Sequence, residues 1–141
     1  MRVIKFRGKI KAKDFRVKLA MAGKPKNEGE WTYGEVHLQS TIPHIHEGMD
    51  KYPIDVDTVG QFTGMKDKNG KEIYEGDILG CANPKIKHLV FYNERQGRFM
   101  AALNGNLDDD FWLCGFDSER WNASKEIIGN IRDNPELLTE K

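Results

Sequence analysis

Turn signals recur at short intervals along this chain, and they constrain its fold more than any other feature. Asn69-Gly70 lies between two apolar segments, and Gly60, Gly64 and Gly76 mark further reversals. Asn-Gly is the pair that most readily takes positive φ at both central positions of a type I′ hairpin turn. Short apolar stretches fit β-strands over residues 31–38, 41–46, 78–81, 86–92, 98–103, 111–116 and 126–131. Many short strands between such turns predict a mainly β fold, a small, partly open antiparallel barrel that is SH3-like or similar.

The same pattern predicts two parts in the chain. Residues 1–58 form an N-terminal β subdomain, an extension with a Gly, Lys and Pro-rich flexible loop at 21–30, and residues 59–141 form the barrel subdomain, with most of the barrel over 59–131. Asn134-Pro135 predicts a short C-terminal helix, since asparagine is a good cap and proline suits the first helical position. The expected core residues are Phe62, Ile73, Tyr74, Ile78, Val90, Phe91, Phe99, Trp112, Ile128 and Ile131.

Composition narrows the class of protein. Of 141 residues, 38% are hydrophobic and 31% charged, which is typical of a polar globular protein rather than a disordered chain. No apolar run approaches the roughly 18 residues that a membrane helix needs, so we expect a cytoplasmic protein without membrane contact. Cys81 and Cys114 belong to no paired motif and are interpreted as free thiols. No motif joins a cysteine to a histidine for catalysis, so neither an enzyme nor a cofactor is predicted.

The net charge of zero hides a strong asymmetry. Residues 1–27 contain ten basic residues and one acidic residue, a net charge of +9, and the remainder of the chain carries −9. Within the basic segment, cations recur at every second position while apolar residues fill most of the alternate positions, which is strand periodicity. The resulting ladder of cations, the candidate anion-binding site, consists of Lys5, Arg7, Lys9, Lys11 and Lys13.

Three interpretations of this ladder remain open. Alternate side chains on a strand are about 6.6 Å apart, roughly the spacing of phosphates along a nucleic-acid strand. Phe6, Phe15 or Trp31 would add base stacking, so the first interpretation is that the ladder binds a nucleic acid. Acidic neighbours across the sheet, or on a second copy of the chain, would instead neutralise the cations, and another anionic partner is the third interpretation.

Two groups of residues are candidate metal ligands. His44 and His46 would share one face of a strand, and Glu47 or His37 would complete a zinc or nickel site. The pair alone does not define a site, because exposed histidines are common and no other ligand motif accompanies them. Asp108, Asp109 and Asp110 resemble a magnesium-binding cluster, although consecutive carboxylates belong more often to a solvated turn. No metal is therefore assigned from the sequence.

The segment QFTGMKDKNGKEIYEGDI, residues 61–78, resembles the signature of the YopX family. Phe6-Arg7-Gly8-Lys9, Trp31-x-Tyr33-Gly34 and the ending around Gly129-Asn130 are similar to other parts of that family's pattern. The resemblance implies a phage or prophage protein and no particular activity. Our hypothesis is a non-catalytic accessory protein that acts by binding a protein partner or by assembling with itself as a homo-oligomer. The alternative is a nucleic-acid-binding module that uses the basic N-terminal strand.

Overall fold

The computed structural model of the protein describes residues 3–11, 26–39, 41–106 and 124–139. They form two compact units, the first within Met1–Phe62 and the second within Thr63–Lys141. The described strands are β1 (Phe6–Ile10), β2 (Trp31–His37), β3 (His44–Glu47), β4 (Asp50–Lys66), β5 (Glu72–Tyr74), β6 (Asp77–Gly80), β7 (Lys87–Asn93), β8 (Arg98–Leu103) and β9 (Glu126–Asn130). A 3-10 helix covers Pro135–Leu138. The predicted mainly β, antiparallel fold is confirmed.

The first unit is a partly closed ring of strands. β1 pairs with β2, β2 with β3, β3 with β4, and β4 returns to pair with β1, all antiparallel. The prediction placed the barrel over 59–131, whereas this ring lies earlier in the chain. The reason is β4, a single 17-residue strand that reaches back to residue 50 and completes the pairing with both β3 and β1.

The interior of the ring is apolar and tightly filled. Ile10, Ile45, Tyr52 and Ile54 are almost completely buried. A side chain at Gly8 would lie 3.2 Å from the δ carbon of Ile45 and 3.3 Å from Ile54, so glycine is what allows β1 to lie against this core.

β4 departs from regular pairing where it crosses β1. Arg7 lies opposite Gly60, but Lys9 lies opposite Asp55, so β4 carries several extra residues between these pairs. Thr58 holds the irregularity: its hydroxyl donates to the carbonyl of Asp55 at 2.6 Å and accepts from the amide of Lys9 at 2.8 Å. At this bulge, the Thr58 side chain therefore makes hydrogen bonds in place of those missing between the strands.

The second unit contains a sheet in the order β8-β7-β6-β9, and β5 pairs with β4. Its core is a cluster of Ile73, Leu79, Val90 and Ala101. Among the expected core residues, the structure buries Phe62, Ile73, Tyr74, Ile78 and Val90, and it leaves Phe91, Phe99 and Ile131 partly exposed.

Ile128 was expected in the core, and this prediction was wrong. The register of β9 against β6 shifts between Ile78 and Leu79, whose partners are Gly129 and Ile127, so Ile128 is the extra residue of a bulge. A bulge reverses the alternation of side chains, and Ile128 is 38% exposed.

The chain ends in the short helix that Asn134-Pro135 predicted, but without the expected cap. Asn134 makes no side-chain cap hydrogen bond to the helix. Its side-chain oxygen instead accepts from the amide of Asn130 at 3.3 Å. The asparagine therefore fixes the turn between β9 and the helix.

Several predicted features lie outside the described residues. These are Lys13, Phe15, the aspartates at 108–110, the strand at 111–116 with Trp112 and Cys114, and residues 21–25 of the expected loop. Cys81 is described and is a free thiol. Within the described ranges, no helix has the length and apolar character needed to cross a membrane.

Candidate functional site

The aspartate of the signature segment organises its hairpin. One carboxylate oxygen of Asp67 accepts from the amides of Asn69 and Lys71, both at 2.9 Å, and the other accepts from Ile127 at 3.0 Å. Burial alone would raise the pKa of Asp67, but these three amide hydrogen bonds, helped by the charge of Lys71, hold it below its usual value. Asp67 is 6% exposed, and its role is to tie the hairpin to β9.

The hairpin turn differs from the predicted type I′. The amide of Gly70 donates to the carbonyl of Asp67 at 3.0 Å, which places Lys68 and Asn69 at the centre of the turn. Gly70 has a φ of +81°, while Asn69 is not among the described residues with positive φ. This is the pattern of a three-residue loop with glycine in the left-handed position. Asp67 favours it because its side chain binds the amides on both sides of that glycine.

A second buried aspartate of the segment also binds a main-chain amide. Asp77 is 1% exposed, and its carboxylate accepts from the amide of Tyr74 at 2.7 Å across the reversal at Gly76. Gly76 has a φ of +93°, and its amide donates to the carbonyl of Val90 at 2.8 Å. Both buried acids of the signature thus bind main-chain amides, which is a structural use of the motif.

The structure brings three residues of the cation ladder to one side of the first unit. The guanidinium carbon of Arg7 lies 4.5 Å from the ring centre of Trp31, and the ammonium of Lys9 lies 5.4 Å from the same ring. Lys5 lies 5.4 Å from the ring centre of Phe62. These are cation–π distances, so Trp31, one of the rings expected to stack on bases, already contacts two cations, and Phe62 contacts a third.

Exposure differs along the ladder. Arg7 is only 6% exposed, whereas Lys5 and Lys9 are partly exposed. Lys11 is exposed beyond the end of β1 and lines an open groove of about 360 Å³ together with Asp55 and Asp57. Carboxylates therefore border Lys11, the most exposed cation among the ladder residues that the structure describes.

The histidines form the most compact chemical cluster in the described part of the chain. His37 lies opposite His44 in the β2–β3 register, and His46 follows two residues later in β3, so all three occupy one face. Their ring centres are 4.4 to 5.0 Å apart. One ring nitrogen from each residue lies within 4.8 Å of the other two.

Hydrogen bonds orient two of these rings. Nδ1 of His44 is 2.8 Å from the carbonyl oxygen of Ile42, an acceptor, so this nitrogen carries a proton and Nε2 is left as the reactive atom of the neutral ring. Nε2 of His44 lies 3.1 Å from Nε2 of His46. Two ring nitrogens therefore converge on one point in front of the sheet.

The charged neighbours of the cluster have opposite signs. The carboxylate of Glu35 lies 3.4 Å from Nε2 of His37, and Lys51 is the register partner of His46. Burial lowers the pKa of His46, the neighbouring His37, His44 and Lys51 lower it further, and Glu35 acts in the opposite direction. A neutral imidazole is the form that binds a metal.

Of the two proposed completions of the histidine pair, the structure brings His37 rather than Glu47 to the cluster. Glu47 points to the other face, where its carboxylate lies 2.9 Å from the ammonium of Lys26 and accepts from the amide of Tyr33 at 2.9 Å. Burial by itself raises the pKa of Glu47, but these partners lower it overall. The missing signal was the β2–β3 pairing, which sets His37 beside His44.

These observations define a class, a small antiparallel β protein with a partly closed ring of strands, structural acids in its central hairpin and histidines clustered on one face. The family model described as YopX protein matches residues 5–139, and the chain belongs to the YopX family. A crystal structure of protein EF1440 from Enterococcus faecalis is similar, with a TM-score of 0.51 and 24% identity over 98% of this chain and 99% of that chain. That likeness shows the fold. No curated protein matches the chain.

Proposed function

We propose that this protein is a non-catalytic accessory protein of phage or prophage origin, which works in the bacterial cytosol by self-association and by contacts with a protein partner. Membership of the YopX family supports the origin. The use of Asp67 and Asp77 to bind amides supports a scaffold rather than a catalytic role for the signature segment.

The observation that carries the proposal is the uneven distribution of exposed apolar side chains. Among the described residues, eight large hydrophobic side chains are exposed, and six of them lie in the first unit. Those six are Val3, Ile4, Tyr33, Leu38, Met49 and Val56. Single exposed apolar residues are common, so it is the number of them in one small unit from which we infer that this unit contacts other molecules.

Met49 is the clearest member of this group. It is 96% exposed at the tip of the β3–β4 hairpin, where Gly48 has a φ of +64° and Glu47 pairs with Asp50. A two-residue turn between paired strands holds the backbone of Met49 in place, which limits the entropy lost on binding. Methionine also adapts its shape to different partners.

Sedimentation velocity over a wide concentration range tests self-association. We expect the wild-type protein to associate at high concentration, and the paired change Leu38→Gln and Met49→Gln to weaken association at least about tenfold, because apolar area is lost from the contact. Tyr92→Gln, an exposed apolar residue of the second unit, is the matched control and should leave association unchanged. A wild-type protein that stays monomeric throughout overturns the self-association part of the proposal.

A nucleic-acid-binding role is the second candidate, and the alternate placement of Arg7 and Lys9 in β1, with Lys5 just before it, favours this role. Among the ladder residues that the structure describes, Arg7 is buried, Lys5 and Lys9 are partly exposed, and Lys11 is exposed. We expect binding of single-stranded nucleic acid to weaken with salt, and Lys9→Glu with Lys11→Glu to reduce the slope of log affinity against log salt by about 1.4, roughly 0.7 for each lost phosphate contact.

Lys85→Glu with Lys87→Glu provides a matched charge reversal in the second unit. The second candidate requires that this control keeps the salt slope of the wild-type protein. Absence of binding at low salt, or equal binding by both double variants, rules the nucleic-acid role out.

A further inference from the structure

The histidine cluster is independent of the protein contacts proposed above. Its three side chains come from two paired strands, so main-chain hydrogen bonds on both sides fix the positions of their Cα atoms. A site built on strands holds its ligands more accurately than one built on a loop. The cluster is therefore already assembled before any ligand binds.

The distances fit a tetrahedral metal ion. Two imidazole nitrogens that bind one zinc ion at about 2.0 to 2.1 Å are separated by about 3.3 Å at the tetrahedral angle. Nε2 of His44 and Nε2 of His46 are 3.1 Å apart, and the nitrogen of His37 lies within 4.8 Å of both. Zinc binding therefore requires the His37 ring to rotate so that its nitrogen approaches the same centre.

The hydrogen bonds of the imidazole rings are also compatible with metal binding. The carbonyl of Ile42 accepts from Nδ1 of His44, which is the outer hydrogen bond that orients metal-binding histidines in proteins. The two facing Nε2 atoms cannot remain close as two lone pairs, so one of them carries a proton. When a metal ion binds, that proton moves to the other nitrogen of the same ring, so that both Nε2 lone pairs face the ion.

The charges around the cluster balance in part. Glu35 is close enough to His37 to provide a carboxylate to the ion or to its bound water, and Lys51 opposes a dication from the neighbouring strand. All three histidines are partly exposed, so an ion can enter from solvent. Imidazole ligands suit zinc, nickel and copper better than magnesium or calcium.

We propose that His37, His44 and His46 form a zinc-binding site on the outer face of the first unit, with water at the fourth position. The site has the three-histidine ligand set of an open zinc centre. Its affinity falls in acidic solution, because protons compete with the metal for the imidazole nitrogens.

Equilibrium dialysis of tag-free protein against zinc tests this site. We expect one zinc ion per chain, and a loss of affinity of at least about tenfold for His37→Gln, His44→Gln or His46→Gln, since even the loss of an outer hydrogen bond costs that much. Lys51→Gln should bind zinc more tightly because it removes a repelling charge. His88→Gln, which changes the one histidine outside the cluster, should bind as the wild-type protein does.

A measurement on the unmodified chain guards against variants that fold poorly. Zinc should shift the imidazole nitrogen resonances of His37, His44 and His46 and leave those of His88 in place. Non-stoichiometric binding, binding that survives loss of all three histidines, or equal shifts of all four histidines overturns the proposal.

Discussion

At the residue scale, buried titratable groups in this protein are linked to main-chain or packing roles. Asp67 and Asp77 bind amides of the central hairpin, and His88 is 6% exposed within β7. The free energy of unfolding should therefore respond to the charge of these groups more than to that of exposed ones.

Asp67→Asn should lower the free energy of unfolding by about 2 kcal/mol. An amide side chain offers one acceptor and places an N–H group against a main-chain N–H, so at least one of the three hydrogen bonds is lost and a buried donor is left without a partner. Urea denaturation measures the difference. Glu94→Gln removes an exposed charge from a turn and should change stability by less than about 0.5 kcal/mol. Equal effects of the two changes would contradict the assigned role of Asp67.

His88 should make the protein less stable as the pH falls below neutrality. Burial, with a smaller effect of Lys125, lowers the pKa of His88 to about 4, while the unfolded chain keeps a value near 6.5. The unfolded state therefore takes up a proton first, and stability is lost between pH values of about 6.5 and 4, by up to about 3 kcal/mol.

Denaturation curves at several pH values for the wild-type protein and His88→Gln test this linkage. The free energy of unfolding of the variant should depend less steeply on pH in that range. The histidine cluster is present in both proteins, so it does not contribute to the difference between them. Asp67 acts at lower pH, because its lowered pKa means that its contribution is lost only below the usual aspartate range. The same slope in both proteins would show that His88 does not contribute.

At the scale of elements, the pairing of β2 with β3 creates the histidine cluster, and Gly34 permits this pairing. A Cβ atom at Gly34 would overlap the carbonyl oxygen of His46. Main-chain atoms cannot move away without breaking the strand ladder, so no side chain is tolerated there.

Gly34→Ala should therefore destabilise the protein by about 3 kcal/mol or more and abolish zinc binding together with the β2–β3 pairing. Gly64→Ala is the control: Gly64 has a φ of +87°, but its Cβ would meet nothing within 4 Å, so the cost is limited to about 1 to 2 kcal/mol of backbone strain. Thermal melting and amide exchange of β2 give the comparison. A Gly34→Ala protein as stable as Gly64→Ala would show that the strands can separate at little cost.

Individual strands and turns also show which features could be predicted from the sequence. Arg98–Leu103 was assigned as a strand with the same bounds that the structure gives to β8, because local alternation and flanking turns suffice there. The type of turn at Asn69-Gly70 could not be predicted from the pair alone, since the Asp67 side chain selects a longer loop. The exposure of Ile128 and the position of His37 beside His44 depend on strand register, which is a long-range property that no local sequence pattern contains.

At the scale of the whole molecule, surface composition differs between the two units. The first unit contains most of the exposed apolar side chains that the structure describes, as well as the histidine cluster and the cation–aromatic contacts of β1. The second unit contains the signature hairpin and the described buried aspartates. We infer that the first unit makes the contacts on which function depends, and that the signature segment supports the fold of the second.

Site-directed photo-crosslinking in the bacterial cell tests this central inference most directly. A photoreactive side chain placed singly at Leu38, Met49 or Val56 should give discrete crosslinked products, either with a second copy of the chain or with a protein partner. The same side chain at Tyr92 or Ile128 of the second unit should give none. Products only from the second unit, or none from the first, would contradict the account.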